Sequence, residues 1–299
     1  MKVFFNNEYT APVHAFETTR KSGEIARALT ACDLTNVELA DPAGLVVLAE
    51  ELITEVHDPA YVDALRTGRP AHLAGSQGFP WDPGIWSMAV NSTAGVLAAV
   101  EEALATSGPS GSLSSGLHHA GRAHGSGFCT VNGLAAAAKR AAALVDGQVV
   151  ILDVDAHCGG GTTELVGENS RVLHLDLSVN SFDRYEPTDP NQLVILSAPS
   201  DDEYLEALEG LLDRIPGDTG LLIHNAGMDP YPTVSAEALA DRERRVARWC
   251  ADHALPTVFV LAGGYLGALT MDELVELHLH TVRSFASHHR DSRKSGVPK

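Results

Sequence analysis

The chain has 299 residues, of which 44% are apolar and 20% charged, and its formal net charge is −18. That length and composition are globular and can bury a sizeable core, in one large α/β domain or two small ones. So acidic a surface repels phosphate backbones and anionic bilayers, so neither nucleic acid nor membrane is expected as a partner; a small cationic ligand would be attracted.

The N-terminus MKVFFNNEYTAP has a three-residue apolar run followed by Glu8, which does not read as a leader. No stretch approaches the roughly eighteen apolar residues that cross a bilayer. Cys32, Cys129, Cys158 and Cys250 lie far apart with no C-x-x-C pair, so reduced thiols and a cytoplasmic setting are expected.

Lys2–Phe5 predicts a first strand, followed by helical stretches at 20–31, 44–54 and 90–106. Pro and Gly gather at 68–84 and 107–127, which read as long loops, and such loops in a compact domain tend to carry function. The Ala-rich segment 130–145 is strongly helix-forming. Residues 149–155, VVILDVD, form an apolar, β-branched run, as in a strand covered on both faces. Comparable runs follow at 171–177, 220–224 and 257–261, with helices at 203–214, 235–254 and 270–288. This alternation predicts an α/β fold with a mostly parallel central sheet and helices on both faces. One domain is expected over 1–289, with a flexible tail at 290–299. Ligands of such sheets bind beyond the carboxyl ends of the strands.

Four clusters sit at those ends. Asp153-Val154-Asp155-Ala156-His157 closes the first long apolar run. Alternation would send Asp153, Asp155 and His157 to one side if the chain stayed extended, and three ionisable groups there are costly without a compensating ion. Asn225-Ala226-Gly227-Met228-Asp229-Pro230 brings another carboxylate to the same edge, although Asp-Pro alone is ordinary turn chemistry. Asp155, His157 and Asp229 would offer N and O ligands with a fourth position left for water, the pattern of a catalytic zinc. Fe2+ or Co2+ would suit the same donors. Gly116-Leu117-His118-His119-Ala120 supplies two imidazoles for acid–base work. Ala262-Gly263-Gly264-Tyr265 would bring a phenol to the edge, able to donate to an oxyanion.

In this order these pieces resemble the arginase–deacetylase superfamily, and within it the histone deacetylase and acetylpolyamine amidohydrolase group. The likeness runs from His57-Asp58-Pro59-Ala60-Tyr61 through HHA, GFC, DVDAH, AGMD and GGY to Gly267. It implies metal ligands at Asp155, His157 and Asp229. It implies a general base at His119, an electrostatic or acid partner at His118, and an oxyanion donor at Tyr265. Phe128 would be an aromatic wall of the acyl tunnel, and the Gly127 backbone would meet the substrate amide. Asp153 would orient His118. Asp153, Asp176 and Leu177 would contribute to a structural K+ site.

The family usually reads D-x-D-x-H-H-G-[ND]-G, whereas this chain reads Asp155-Ala156-His157-Cys158-Gly159-Gly160-Gly161. A histidine has become Cys158. The residue that pairs with the second catalytic histidine has become Gly160, leaving His119 without its expected orienting partner. Losses around a metal site commonly cost roughly ten- to a hundredfold in activity or affinity. Either another group supplies the contact, with His124 the nearby candidate, or the substrate differs from acetyl-lysine.

The expected function is hydrolysis of an N-acyl amine, a small and preferably cationic one, by a zinc-dependent amidohydrolase. The alternatives are an acetyl-lysine protein deacetylase and a weakened metal-binding homologue with a regulatory role. Two further rivals are weaker. Gly159-Gly160-Gly161-Thr162 could suggest a phosphate loop, but it lacks the remaining glycine and lysine signatures and has aspartates at its mouth. Two-metal arginase chemistry does not suit His118-His119.

Overall fold

The computed structural model describes the chain apart from residues 14–16, 33, 116, 268 and 295–299; for 18 and 289–294 only the backbone is described. Gly116, which opens the histidine motif, is therefore outside the described residues. Eight strands form one all-parallel sheet: β1 (Lys2–Phe4), β2 (Glu38–Ala40), β3 (Pro109–Ser112), β4 (Gln148–Asp153), β5 (Val172–Ser178), β6 (Gln192–Ile195), β7 (Thr219–Asn225) and β8 (Thr257–Val260). Their spatial order is β2-β1-β3-β8-β7-β4-β5-β6. Because all run the same way, their carboxyl ends share one edge, and the segments that leave that edge can meet.

Side chains of the central strands alternate between two cores, as the two-residue strand period requires. Val150, Leu152, Leu173, Leu175, Leu222 and Phe259 face one core. Helices α1 (Glu17–Ala31), α8 (Asp201–Leu212), α9 (Ala236–Asp252) and α10 (Met271–Lys294) cover it. Val149, Ile151, Val172, Leu221, Ile223 and Val258 face the other. That core is covered by α2 (Val46–Val56), α3 (Pro59–Thr67), α5 (Gly84–Thr106) and α6 (Gly133–Ala142). Two shorter helices are α4 (Ala71–Ala74) and α7 (Gly160–Val166).

The expected sheet and helices are present, with differences. The stretch 107–127, read as loop, contains β3. Its sequence, Pro-Ser-Gly-Ser, carries no apolar pattern because its neighbour fills the space: a Cβ on Gly111 would lie 2.2 Å from the Phe259 ring. The edge strands β2 and β6 are short and only partly buried, so they too lack a strong pattern. The segment 68–84 holds α4 and reaches the start of α5. The last helix runs through 290–294, inside the expected tail; residues 295–299 are outside the described residues. No helix among the described residues is long and apolar enough to cross a membrane.

Candidate active site

β4 ends at Asp153, so Asp153, Asp155 and His157 are not aligned by strand alternation as expected. A turn gathers them instead. Asp155 N–H donates to Asp153 Oδ1 at 3.2 Å, and His157 N–H donates to Asp155 Oδ1 at 3.1 Å. Ala156 N–H donates to Asp229 Oδ1 at 3.1 Å, which ties this turn to the loop after β7. Beneath both loops lies Arg242 of α9, fully buried. Its guanidinium donates to the carbonyls of Val154 at 3.1 Å and Gly227 at 2.7 Å, and to Glu243 at 2.7 Å. In the sequence Arg242 sits in Asp241-Arg242-Glu243-Arg244-Arg245, which reads as a solvated charged face; only packing marks it as the clamp between the two aspartate loops.

The Asp155, His157 and Asp229 ligand atoms all lie within 4.8 Å of one another. His157 Nδ1 is 3.2 Å from Asp155 Oδ1 and 3.1 Å from Asp229 Oδ2. One ring nitrogen carries at most one hydrogen, so it cannot satisfy both carboxylates, and Asp229 Oδ2 is a buried oxygen with no aligned donor. Burial and the charge on Asp155 push the Asp229 carboxyl up. Burial opposes protonation of His157, but the two carboxylates outweigh it and raise the imidazole to about 10. Two buried carboxylates facing one imidazole are a donor set suited to a divalent cation. The loop after β8 closes behind them: a Cβ on Gly263, whose φ is +52°, would lie 2.4 Å from Asp229 Oδ1 and 2.6 Å from Asp155 Oδ2. Only glycine lets that backbone seal the carboxylates in place.

His118 and His119 lie beside this triad with their rings tilted by 42° and their centroids 3.9 Å apart. The His118 Nδ1 is 2.9 Å from Asp153 Oδ2, and Asn225 Nδ2 donates to Asp153 Oδ1 at 2.7 Å. The strand register explains this row, since Asp153 pairs with Asn225 on one side and Asp176 on the other. Burial disfavours charge on His118, yet Asp153 and Asp155 override it and raise the imidazole to about 10. His119 goes the other way: burial and the charge on His118 lower it, with Asp183 and Asp155 only partly compensating. The two imidazoles are thus pushed in opposite directions, His118 toward the cation and His119 toward the neutral form.

Tyr265, Phe128 and Gly127 line the same narrow cavity as His118, His119, Asp155 and His157. The Phe128 and Tyr265 rings are 6.4 Å apart. Burial, then Asp229 and Asp155, raise the phenol, keeping it a proton-bearing donor. Two side chains here had no signal in the sequence. Phe182, 48% exposed, stands edge-on to His119 at 5.0 Å and to His157 at 5.9 Å. Lys21 of α1 is fully buried and donates to the Gly263 carbonyl; burial lowers its ammonium to about 7, with Asp229 and Asp155 pulling it back up.

Another group does supply the contact to His119 that Gly160 cannot, and it is Asp183 rather than the His124 candidate. His119 Nδ1 is 2.9 Å from Asp183 Oδ2, and Asp183 comes from the loop after β5. His124 is exposed, and its carbonyl accepts from Gly121 N–H at 3.1 Å. Near Cys158, an imidazole comes from β5: a Cβ on Gly159 would lie 2.9 Å from Asp153 Oδ2 and 3.1 Å from His174 Cε1. His174 is hydrogen-bonded with Thr163 at 2.9 Å, and burial lowers it to about 4. In the candidate cation region Asp176 accepts from Gly159 N–H at 2.7 Å and Ser178 Oγ at 2.8 Å, and burial beside Asp153 raises it to about 8. The Leu177 side chain is in the apolar core.

Fold and site together define a parallel α/β protein whose sheet edge joins a two-aspartate, one-histidine cluster to a histidine pair and a phenol. Residues 14–189, more than half the chain, match the histone deacetylase domain, and the chain belongs to that family of hydrolytic deacetylases. An uncharacterized protein of Picosynechococcus is 29% identical over 75% of this chain and 77% of its own length. Histone deacetylase 2 of Arabidopsis thaliana is 28% identical over 52% of this chain; the match spans only 43% of that protein. The crystal structure of acetylpolyamine aminohydrolase from Burkholderia pseudomallei superposes with a TM-score of 0.75 at 20% identity, covering 96% of this chain and 99% of that one. This likeness carries the fold.

Proposed function

We propose that residues 1–289 are one catalytic domain that hydrolyses the amide of a small N-acyl amine with the help of a divalent metal. The single observation that carries the reading is the His157 nitrogen shared between Asp155 and Asp229, with one buried Asp229 oxygen left without a donor, beside an imidazole pair of split basicity. Asp155, His157 and Asp229 would hold zinc, or Fe2+ or Co2+, and the ion would supply Lewis acidity toward the amide carbonyl and toward a nearby water.

The chain's own groups do the rest. Neutral His119 takes a proton from the attacking water, and its other nitrogen is held by Asp183. The Tyr265 hydroxyl donates to the oxygen on which negative charge develops. Cationic His118, paired with Asp153, favours that charge and delivers a proton to the departing nitrogen as the C–N bond breaks. The products are a carboxylate and a free amine. Phe128 and Phe182 would flank the acyl chain, and the Gly127 backbone would meet the amide. The adjacent buried carboxylates Asp153 and Asp176, with the Leu177 backbone, would be balanced by K+.

The net charge of −18 favours a cationic amine, and the fold neighbour is named for acetylpolyamine, so acetylated polyamines come first. Acetyl-lysine peptides follow, because the family and an Arabidopsis relative carry the histone deacetylase name. The partner found for His119 speaks against a weakened, purely regulatory homologue. Four free cysteines suit a cytoplasmic enzyme. The test is a hydrolysis screen of zinc-loaded protein over acetylated polyamines, other N-acetyl amines and acetyl-lysine peptides, with and without chelator. Chelator-sensitive amine release is expected; no release from any substrate, or release indifferent to chelator, refutes the proposal.

A further inference from the structure

Asp183 occupies a place that the chain has vacated elsewhere. A Cβ built on Gly160 would lie 2.5 Å from both the carbonyl oxygen and Oδ1 of Asp183, and 2.6 Å from its Cγ. No side chain at 160 can coexist with Asp183 where it stands. The two positions are alternatives for one small volume beside His119, and this chain fills it from the loop after β5.

That loop is fastened to the segment it replaces. Val179 and Asn180 N–H both donate to the Ala156 carbonyl, at 3.0 and 2.8 Å, and Cys158 N–H donates to the Phe182 carbonyl at 3.0 Å. Asp183 Oδ2 then accepts from Gly161 N–H at 3.2 Å while facing His119 Nδ1 at 2.9 Å. Asp183 has φ of +61°, a left-handed conformation that costs most residues about 1 kcal/mol and that Asp tolerates better than most. A strained, multiply tied aspartate aimed at one imidazole is what a positioning role requires.

We propose that Asp183 is the positioning residue of His119, a carboxylate relocated from the turn after β4 to the β5–β6 loop, with Gly160 as its obligate counterpart. The assignment rests on the reading of His119 as the base. Accepting from Nδ1–H leaves Nε2 as the lone-pair nitrogen toward the reacting water, and the carboxylate stabilises the imidazolium that forms.

The test compares wild type, Asp183→Ala, Asp183→Asn and the double variant Gly160→Asp/Asp183→Gly. The readouts are kcat and KM of the zinc-loaded enzyme, and the low-field imidazole N–H resonances of the metal-free protein. Among the resonances of its buried imidazoles, wild type should show one from His118 with Asp153 and one from His119 with Asp183. Asp183→Ala should lose the second and lower kcat roughly a hundredfold with KM changed less than about twofold. Asp183→Asn keeps the shape without the charge and should move both readouts the same way by a smaller step. The double variant should regain the resonance and part of the lost kcat, provided that glycine at 183 lets the loop backbone, whose carbonyl also lies 2.5 Å from a Cβ at 160, move aside for the carboxylate. If the wild type turns over no amide, the proposed activity fails, and the resonances alone still decide the position of Asp183. Retention of the His119 resonance in Asp183→Ala, with kcat unchanged, overturns the proposal.

Discussion

His57 allows a stability prediction that follows from its burial and its hydrogen-bond directions. Its ring is 3% exposed and lies between two backbones that carry the site. Asn132 N–H donates to His57 Nε2 at 3.0 Å, so Nε2 must hold a lone pair; Nδ1, 2.8 Å from the Gly121 carbonyl, must carry the hydrogen. Protonating Nε2 would set two N–H groups against each other. Burial, partly opposed by the bond to Gly121, lowers the imidazole from 6.5 to about 4. The unfolded chain therefore binds the proton more readily than the folded one. His57 contributes stability that is fully present above pH 6.5 and is lost as pH falls toward 4. The gap between those values corresponds to about 3 kcal/mol, of which about 2.5 kcal/mol is gone by pH 4.5. The assay is urea unfolding of the wild type and of His57→Gln, which cannot titrate, at steps from pH 7.5 to 4.5. His174, also lowered to about 4, contributes equally to both proteins and cancels in the difference. The wild type should be the more stable at pH 7, with its advantage shrinking by about 2.5 kcal/mol by pH 4.5. A constant difference across that range would refute the tautomer and the burial argument together.

Three further outcomes follow from the site. Tyr265→Phe should keep bound metal and KM while kcat drops roughly a hundredfold or more, and unchanged turnover would remove the phenol from the reaction. Asp229→Ala should purify without its metal by elemental analysis while remaining folded by circular dichroism; a full complement would contradict the ligand set. Gly263→Ala should lower zinc affinity roughly ten- to a hundredfold in chelator competition, because the new methyl carbon would meet carboxylate oxygens at 2.4 and 2.6 Å. An affinity within about twofold of wild type would mean that the loop after β8 does not seal those carboxylates.

The residues that gather at the sheet edge were legible because each belongs to a short contiguous motif next to a strong strand signal. The apolar runs at 149–155, 220–224 and 257–261 announced β4, β7 and β8, and the polar groups just beyond them had to meet at one sheet edge once the strands were parallel. Family resemblance rests on the same stretches, so it shared their reach. Where a strand is made of small residues because a neighbour's ring covers it, as Gly111 is covered by Phe259, periodicity has nothing to report. The turn that gathers Asp155 and His157 was likewise hidden, since its hydrogen bonds run from backbone to side chain rather than along a pattern.

What one-dimensional order left open is who stands next to whom across loops. Asp183 lies 64 residues from His119, and Lys21 lies 242 residues from Gly263. Neither separation has any local signature. Gly160 looked like a loss in the sequence and is in the folded chain the space through which Asp183 reaches His119. Sequence by itself determined the parallel sheet and pointed to the aspartates, the histidine and the imidazole pair that meet at its edge, because period-two burial and motif chemistry are local. Tertiary structure alone decided which carboxylate serves which histidine and which buried cations brace the loops, because a buried charge is satisfied by whatever packing brings within about 3 Å, regardless of distance along the chain.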